Sequence, residues 1–109
     1  MLKLNFFVPE SHLEIVKQAL FEAGAGKIGN YDSCCWQTLG TGQFRALSGS
    51  DPFVGEEGRQ EQVLEYKVEL VCAEDCLRQA IAALKGAHPY EEPAIDVIKL
   101  EDYQDLASR

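Results

Sequence analysis

The stretch Leu64-Glu65-Tyr66-Lys67-Val68-Glu69-Leu70-Val71-Cys72, followed by Leu77-Arg78-Gln79-Ala80-Ile81-Ala82-Ala83-Leu84, decides the fold. In its first half Leu64, Tyr66, Val68, Leu70 and Cys72 alternate with Glu65, Lys67, Glu69 and Val71, the period of a half-buried strand. In its second half Leu77, Ala80, Ile81 and Leu84 mark one face of an amphipathic helix, which Gly86 is expected to end. Downstream, residues 94 to 100 read as another strand, and the tail 101–109 as frayed or loosely packed. Upstream the same order recurs. Leu2, Leu4, Phe6 and Val8 mark a strand stopped by Pro9, and Ser11-x-x-Glu14 reads as a capping box. The helix it opens buries Leu13, Val16, Ala19, Leu20 and Ala23 and stops at Gly24.

The middle of the chain is rich in glycine. Tyr31 to Leu39 has strand character, Gly40-Thr41-Gly42 reads as a turn, and Gln43 to Leu47 as a short return strand. Ser48 to Gln62 is a long irregular connection, of a length usually functional or mobile. The whole order is strand, helix, strand hairpin, strand, helix, strand. That order specifies an α+β ferredoxin-like sandwich: an antiparallel sheet with two helices on one face and an extra β-hairpin. Phe7, Trp36 and Val71 are too apolar for the helix-free face to meet water, so self-association is expected.

At 109 residues the chain is one domain, residues 1–109. Its 18 acidic residues outnumber 10 basic ones, and the scattered bases argue against a nucleic-acid partner. No apolar run is long enough for a membrane span and no signal-peptide pattern opens the chain, so a cytoplasmic location is expected. The four cysteines, Cys34-Cys35 and Cys72-x-x-x-Cys76, fit neither a zinc ribbon nor a redox pair and are expected to be reduced.

Chemistry concentrates in His88-Pro89-Tyr90-Glu91-Glu92-Pro93-Ala94. Two prolines stiffen a loop holding one imidazole and two carboxylates, which suits a binding site. His88, Glu91 and Glu92, with Cys34 if it comes near, form a candidate site for a divalent metal such as copper or zinc. The alternative is that the prolines set the turn and Tyr90 packs. Gly24-x-Gly26-x-x-Gly29 follows a helix instead of leading from a strand into one, so it is no dinucleotide fingerprint. Its glycines end the helix, though amides freed around Gly26 and Gly29 offer a small-anion nest. Arg45 adds a possible anion contact. No catalytic triad is assembled by these residues.

Four stretches carry a family resemblance: Gly24-Ala-Gly26-Lys-Ile-Gly29-Asn-Tyr31-Asp32-Ser-Cys34, Gly40-Thr-Gly42-x-Phe44-Arg45, Gly49-Ser-Asp-Pro52-Phe53-Val-Gly55 and Ala87-His88-Pro89-Tyr90-Glu91-Glu92-Pro93-Ala94. In order, over nearly the whole chain, they resemble the PII/CutA-like inserted domain of the Nif-three-like (YqfO-type) dinuclear-metal proteins. The resemblance implies a stand-alone version of that domain, with ferredoxin-like subunits assembled as homotrimers. The family's metal ligands belong to a core whose motifs are missing here, so its proposed hydrolase activity is not implied. The resemblance instead implies a non-catalytic, oligomeric small-ligand-binding or regulatory protein. Its ligand would lie where His88, Tyr90, Glu91 and Glu92 of one subunit meet Gly26, Gly29 and Arg45, with loop 48–62 facing a protein partner. Two alternatives stand beside it: a divalent-metal protein of metal homeostasis, and an accessory subunit of a separate metal-dependent hydrolase core.

Overall fold

The computed structural model describes residues 1–108. Strand β1 (Leu2–Pro9) runs into a 3-10 turn and helix α1 (Leu13–Glu22). Strands β2 (Trp36–Arg45) and β3 (Gln60–Cys72) follow, then α2 (Leu77–Ala87), β4 (Ile95–Lys99) and the short α3 (Tyr103–Ala107). The sheet order is β2-β3-β1-β4, every pair antiparallel. This is the ferredoxin-like arrangement the alternation and helical spacing called for.

The core lies between the sheet and the two long helices. Leu4, Phe6 and Val8 of β1 and Val68, Leu70 and Cys72 of β3 pack against Leu13, Val16 and Leu20 of α1 and Ala80 and Leu84 of α2. Each large side chain fully removed from water contributes roughly 1.5–3 kcal/mol. The register sends the intervening residues to the other face: Lys3, Asn5 and Phe7 beside Val71, Glu69 and Lys67. Trp36, Thr38, Gly40, Gly42 and Phe44 of β2 share that face. Phe7, Trp36 and Val71 therefore do lie together on the helix-free side, with Trp36 68% exposed.

Several local expectations are corrected. Gly40-Thr41-Gly42 is no turn: β2 runs straight through it, pairing Gly40 with Glu65 and Gly42 with Val63. The extra hairpin is thus absent, and β2 and β3 themselves form one long two-stranded ribbon. A side chain at Gly42 would displace the Glu65 carboxylate, which occupies that space. Residues 32–35, expected within a strand, are not strand; β2 begins at Trp36. Ser11 does not cap α1: its hydroxyl hydrogen-bonds His12 Nδ1, while Glu14 pairs with Lys17. Gly24 ends its helix as expected, at φ +101°. Gly86 does not; α2 continues to Ala87, and His88 is extended (φ −77°, ψ 137°) because the next residue is Pro89. The tail is helical at 103–107, capped by the Asp102 carboxylate accepting from the Gln104 N–H, and exposed.

Candidate functional site

The site forms where β4 stops short of the end of β1. Pairing between them ends at Phe6–Ile95, leaving the Phe7 carbonyl without a strand partner. His88 takes that place. Its Nε2–H donates to the Phe7 carbonyl at 2.6 Å, and its Nδ1 accepts the Tyr90 N–H at 3.1 Å. The two partners select the neutral Nε2–H tautomer. Burial holds the imidazole below its ordinary pKa, against the opposing pull of the Phe7 hydrogen bond and the Glu65 charge.

Tyr90 extends the arrangement. Its ring lies 4.8 Å from that of His88, and its hydroxyl donates to Glu65 Oε2 at 2.6 Å. Burial first, then the Glu65 bond and charge, raise the phenol's pKa strongly. The segment between β2 and β3 folds back onto this wall. Phe53 sits 6.2 Å from Tyr90 and 5.6 Å from His12, and the Asp51 N–H donates to Glu91 at 3.0 Å. Internal bonds hold the segment in shape: the Gly58 N–H to the Ala46 carbonyl, and the Ser50 N–H and hydroxyl to the Leu47 carbonyl. The long connection is irregular, beginning at Ala46 and ending where β3 starts, at Gln60.

Between the ribbon and this return lies an open cleft of about 520 Å³. Phe7, Gly42, Phe44 and Glu65 form its floor, and Phe53, Val54, Tyr90, Glu91 and Glu92 its walls, with Arg45 at the strand end. Within one chain, Tyr90, Glu91, Glu92 and Arg45 line this cleft together. Gly26, Gly29 and Cys34 of the same chain lie elsewhere. The Gly26 N–H donates to the Val71 carbonyl and its carbonyl accepts from Cys34, at the far end of β3 from the cleft. The metal set His88, Glu91, Glu92 and Cys34 is not assembled. Both His88 nitrogens are engaged, and among the described residues no three His, Cys, Asp or Glu side chains gather as a metal would need. Nor do the amides around Gly26 form a free nest, since the one at Gly26 is taken. Sequence reasoning missed Glu65, Phe44 and Phe53. Glu65 sat on the polar side of a clean alternation, and the glycine opposite it was misread as a turn.

Sheet order and helix placement define the class of fold, PII/CutA-like. CutA1 from Pyrococcus horikoshii superposes with a TM-score of 0.68 over 94% of this chain and 85% of that one, at 21% identity. The PII-like protein CutA from a Nostoc species gives 0.68 at 15% identity, over 99% and 88%. At such identities the likeness concerns the fold alone. No family model matches the chain. A Bacillus cereus protein related to NIF3 gives a TM-score of 0.81 at 40% identity, covering 93% of this chain and 26% of that one. Among curated proteins, the GTP cyclohydrolase 1 type 2 homolog of Mycobacterium tuberculosis is 47% identical over 98 residues, 90% of this chain and 26% of that protein. The Bacillus subtilis protein of the same name is 41% identical over 99 residues, again 26% of its length. Over most of its own length the chain is thus similar to Nif-three-like proteins, and it spans about a quarter of the length of these relatives.

Proposed function

We propose that this domain is a non-catalytic binding and assembly unit: a cytoplasmic homotrimer whose clefts hold a small ligand and report its presence to a protein partner. The ordered cleft carries the reading. Its rear wall is fixed by His88, its side by the Tyr90–Glu65 bond, and its lid is the return segment, tied down by one hydrogen bond to Glu91 and one aromatic contact. A ligand seated there touches the return directly. It shifts the return's population only by its differential affinity for the closed and open forms.

Self-association is supported by two surfaces. The helix-free face exposes Trp36 and buries Asn5 Oδ1 without a partner among the described residues. The free edge of β2 carries no charge from Trp36 to Phe44, although a solvent-facing edge strand normally needs charges or prolines to prevent pairing. In the trimer the Gly26–Gly29 segment of a neighbouring copy meets the 88–92 loop. Sedimentation of the wild type and of Trp36→Asp tests this. A trimer that the substitution dissociates, with unchanged circular dichroism, is expected; a wild-type monomer at micromolar concentration would remove the assembly reading.

A second reading rests on the relatives' length. Because the chain matches only a quarter of proteins named as cyclohydrolase homologues, it also suits the role of accessory unit to a separate metal-dependent hydrolase core. Co-purification with such a core distinguishes the two. The metal-homeostasis alternative has no geometric support: a metal at His88 would first have to displace the Phe7 carbonyl or the Tyr90 amide.

A further inference from the structure

The lining of the cleft chooses the charge of what it holds. Its apolar surface comes from Phe7, Phe44, Phe53 and Tyr90 with Leu47 and Val54. Three carboxylates, Glu65, Glu91 and Glu92, share it with a single guanidinium, Arg45, leaving two negative charges in excess. Among the described residues none of these four groups is in an ion pair. Glu65 gives one oxygen to the Tyr90 hydroxyl and Glu91 one to the Asp51 amide, so each keeps a second oxygen for a ligand.

An anion entering this space meets unneutralised carboxylates beside walls of low polarity, where repulsion is screened less than in open water. A cation meets the same carboxylates as partners and the aromatic faces as an additional attraction. The chain as a whole carries a formal charge of −8, so approach is biased the same way. About 520 Å³ is room for one or two fused rings or a branched aliphatic group, within the usual range for small-molecule pockets.

We infer that the cleft, resting on its reading as a ligand site, selects a small organic cation: an ammonium or guanidinium group on an aromatic or branched aliphatic body. The body packs against Phe44 and Phe53, and the charge is directed to Glu91 and Glu92. Arg45 is the one group that favours an acid, and it is outnumbered.

The test uses two probes with the same ring and opposite charge, tryptamine and indoleacetate, each titrated into the isotope-labelled full chain and followed by backbone amide shifts. Tryptamine is expected to move the amides of Phe44, Phe53 and Glu91. Indoleacetate is expected to bind about tenfold more weakly, and the Glu91→Gln/Glu92→Gln variant to weaken tryptamine by a similar factor. The same spectra report whether that variant is folded, and Arg45→Gln, which should tighten tryptamine, tests the charge balance from the other side. Indoleacetate binding at these residues as tightly as tryptamine would overturn the charge selection and leave the cleft standing as a ligand site. If neither probe moves any cleft residue at millimolar concentration, the ligand-site reading falls with it.

Discussion

Replacing His88 by alanine is expected to cost about 3 kcal/mol of stability, a figure set by what the ring does. His88 is 7% exposed and hydrogen-bonds two backbone groups, the Phe7 carbonyl and the Tyr90 amide. Leaving a buried donor or acceptor unmet costs roughly 1–3 kcal/mol each. A water admitted to the space the ring vacates returns part of that. The emptied volume adds a packing loss, so about 3 kcal/mol remains. Urea unfolding followed by circular dichroism at neutral pH measures it, at one fixed chain concentration because assembly contributes to apparent stability. His88→Phe separates the two causes: it refills the volume but orphans the same two groups, so it should recover less than half of the loss. A loss below about 1 kcal/mol in the alanine variant, or a phenylalanine variant as stable as the wild type, would refute the role given to these hydrogen bonds.

Three further outcomes are expected from the same contacts. Because burial holds His88 below its ordinary value of 6.5, the unfolded chain takes up its proton first; stability should be constant above about pH 6.5 and fall as pH drops towards the folded value, a slope that His88→Gln flattens in urea midpoints measured against pH. Gly42→Ala should push the Glu65 carboxylate aside and break its bond to Tyr90, lowering the tyrosine's pKa in an ultraviolet titration with the fold retained. Glu91→Ala removes the acceptor for the Asp51 amide, so hydrogen exchange at residues 50–54 should speed up severalfold while β1 and β3 keep their protection.

The parts of the fold legible in the sequence are those whose residues repeat. The alternation in β1 and β3 and the 3.6-residue spacing in α1 and α2 place the core and the sheet order, because burial on one face leaves the same mark whatever the neighbours. The ribbon was not legible. Gly40 and Gly42 look like turn residues, but β2 runs through both, and at Gly42 the missing side chain leaves room for a carboxylate on the facing strand. The end of α2 was misassigned for a related reason: a glycine inside a helix is tolerated, whereas a residue before proline is driven extended. At the site, the sequence drew attention to Tyr90, Glu91, Glu92 and Arg45, which line one cleft of the chain. It did not reveal that His88 faces inward, since a histidine's partners here are the backbone of Phe7, far away along the chain, and the amide two residues on. It also overestimated the reach of Cys34, which lies beyond the other end of β1.

The most direct test of the central claim is native mass spectrometry of protein purified without an affinity tag or chelator. A cleft-bearing trimer should appear as a species of three times the 12.1 kDa chain, carrying a reproducible extra mass of a small organic molecule. A bare monomer at micromolar concentration would contradict it.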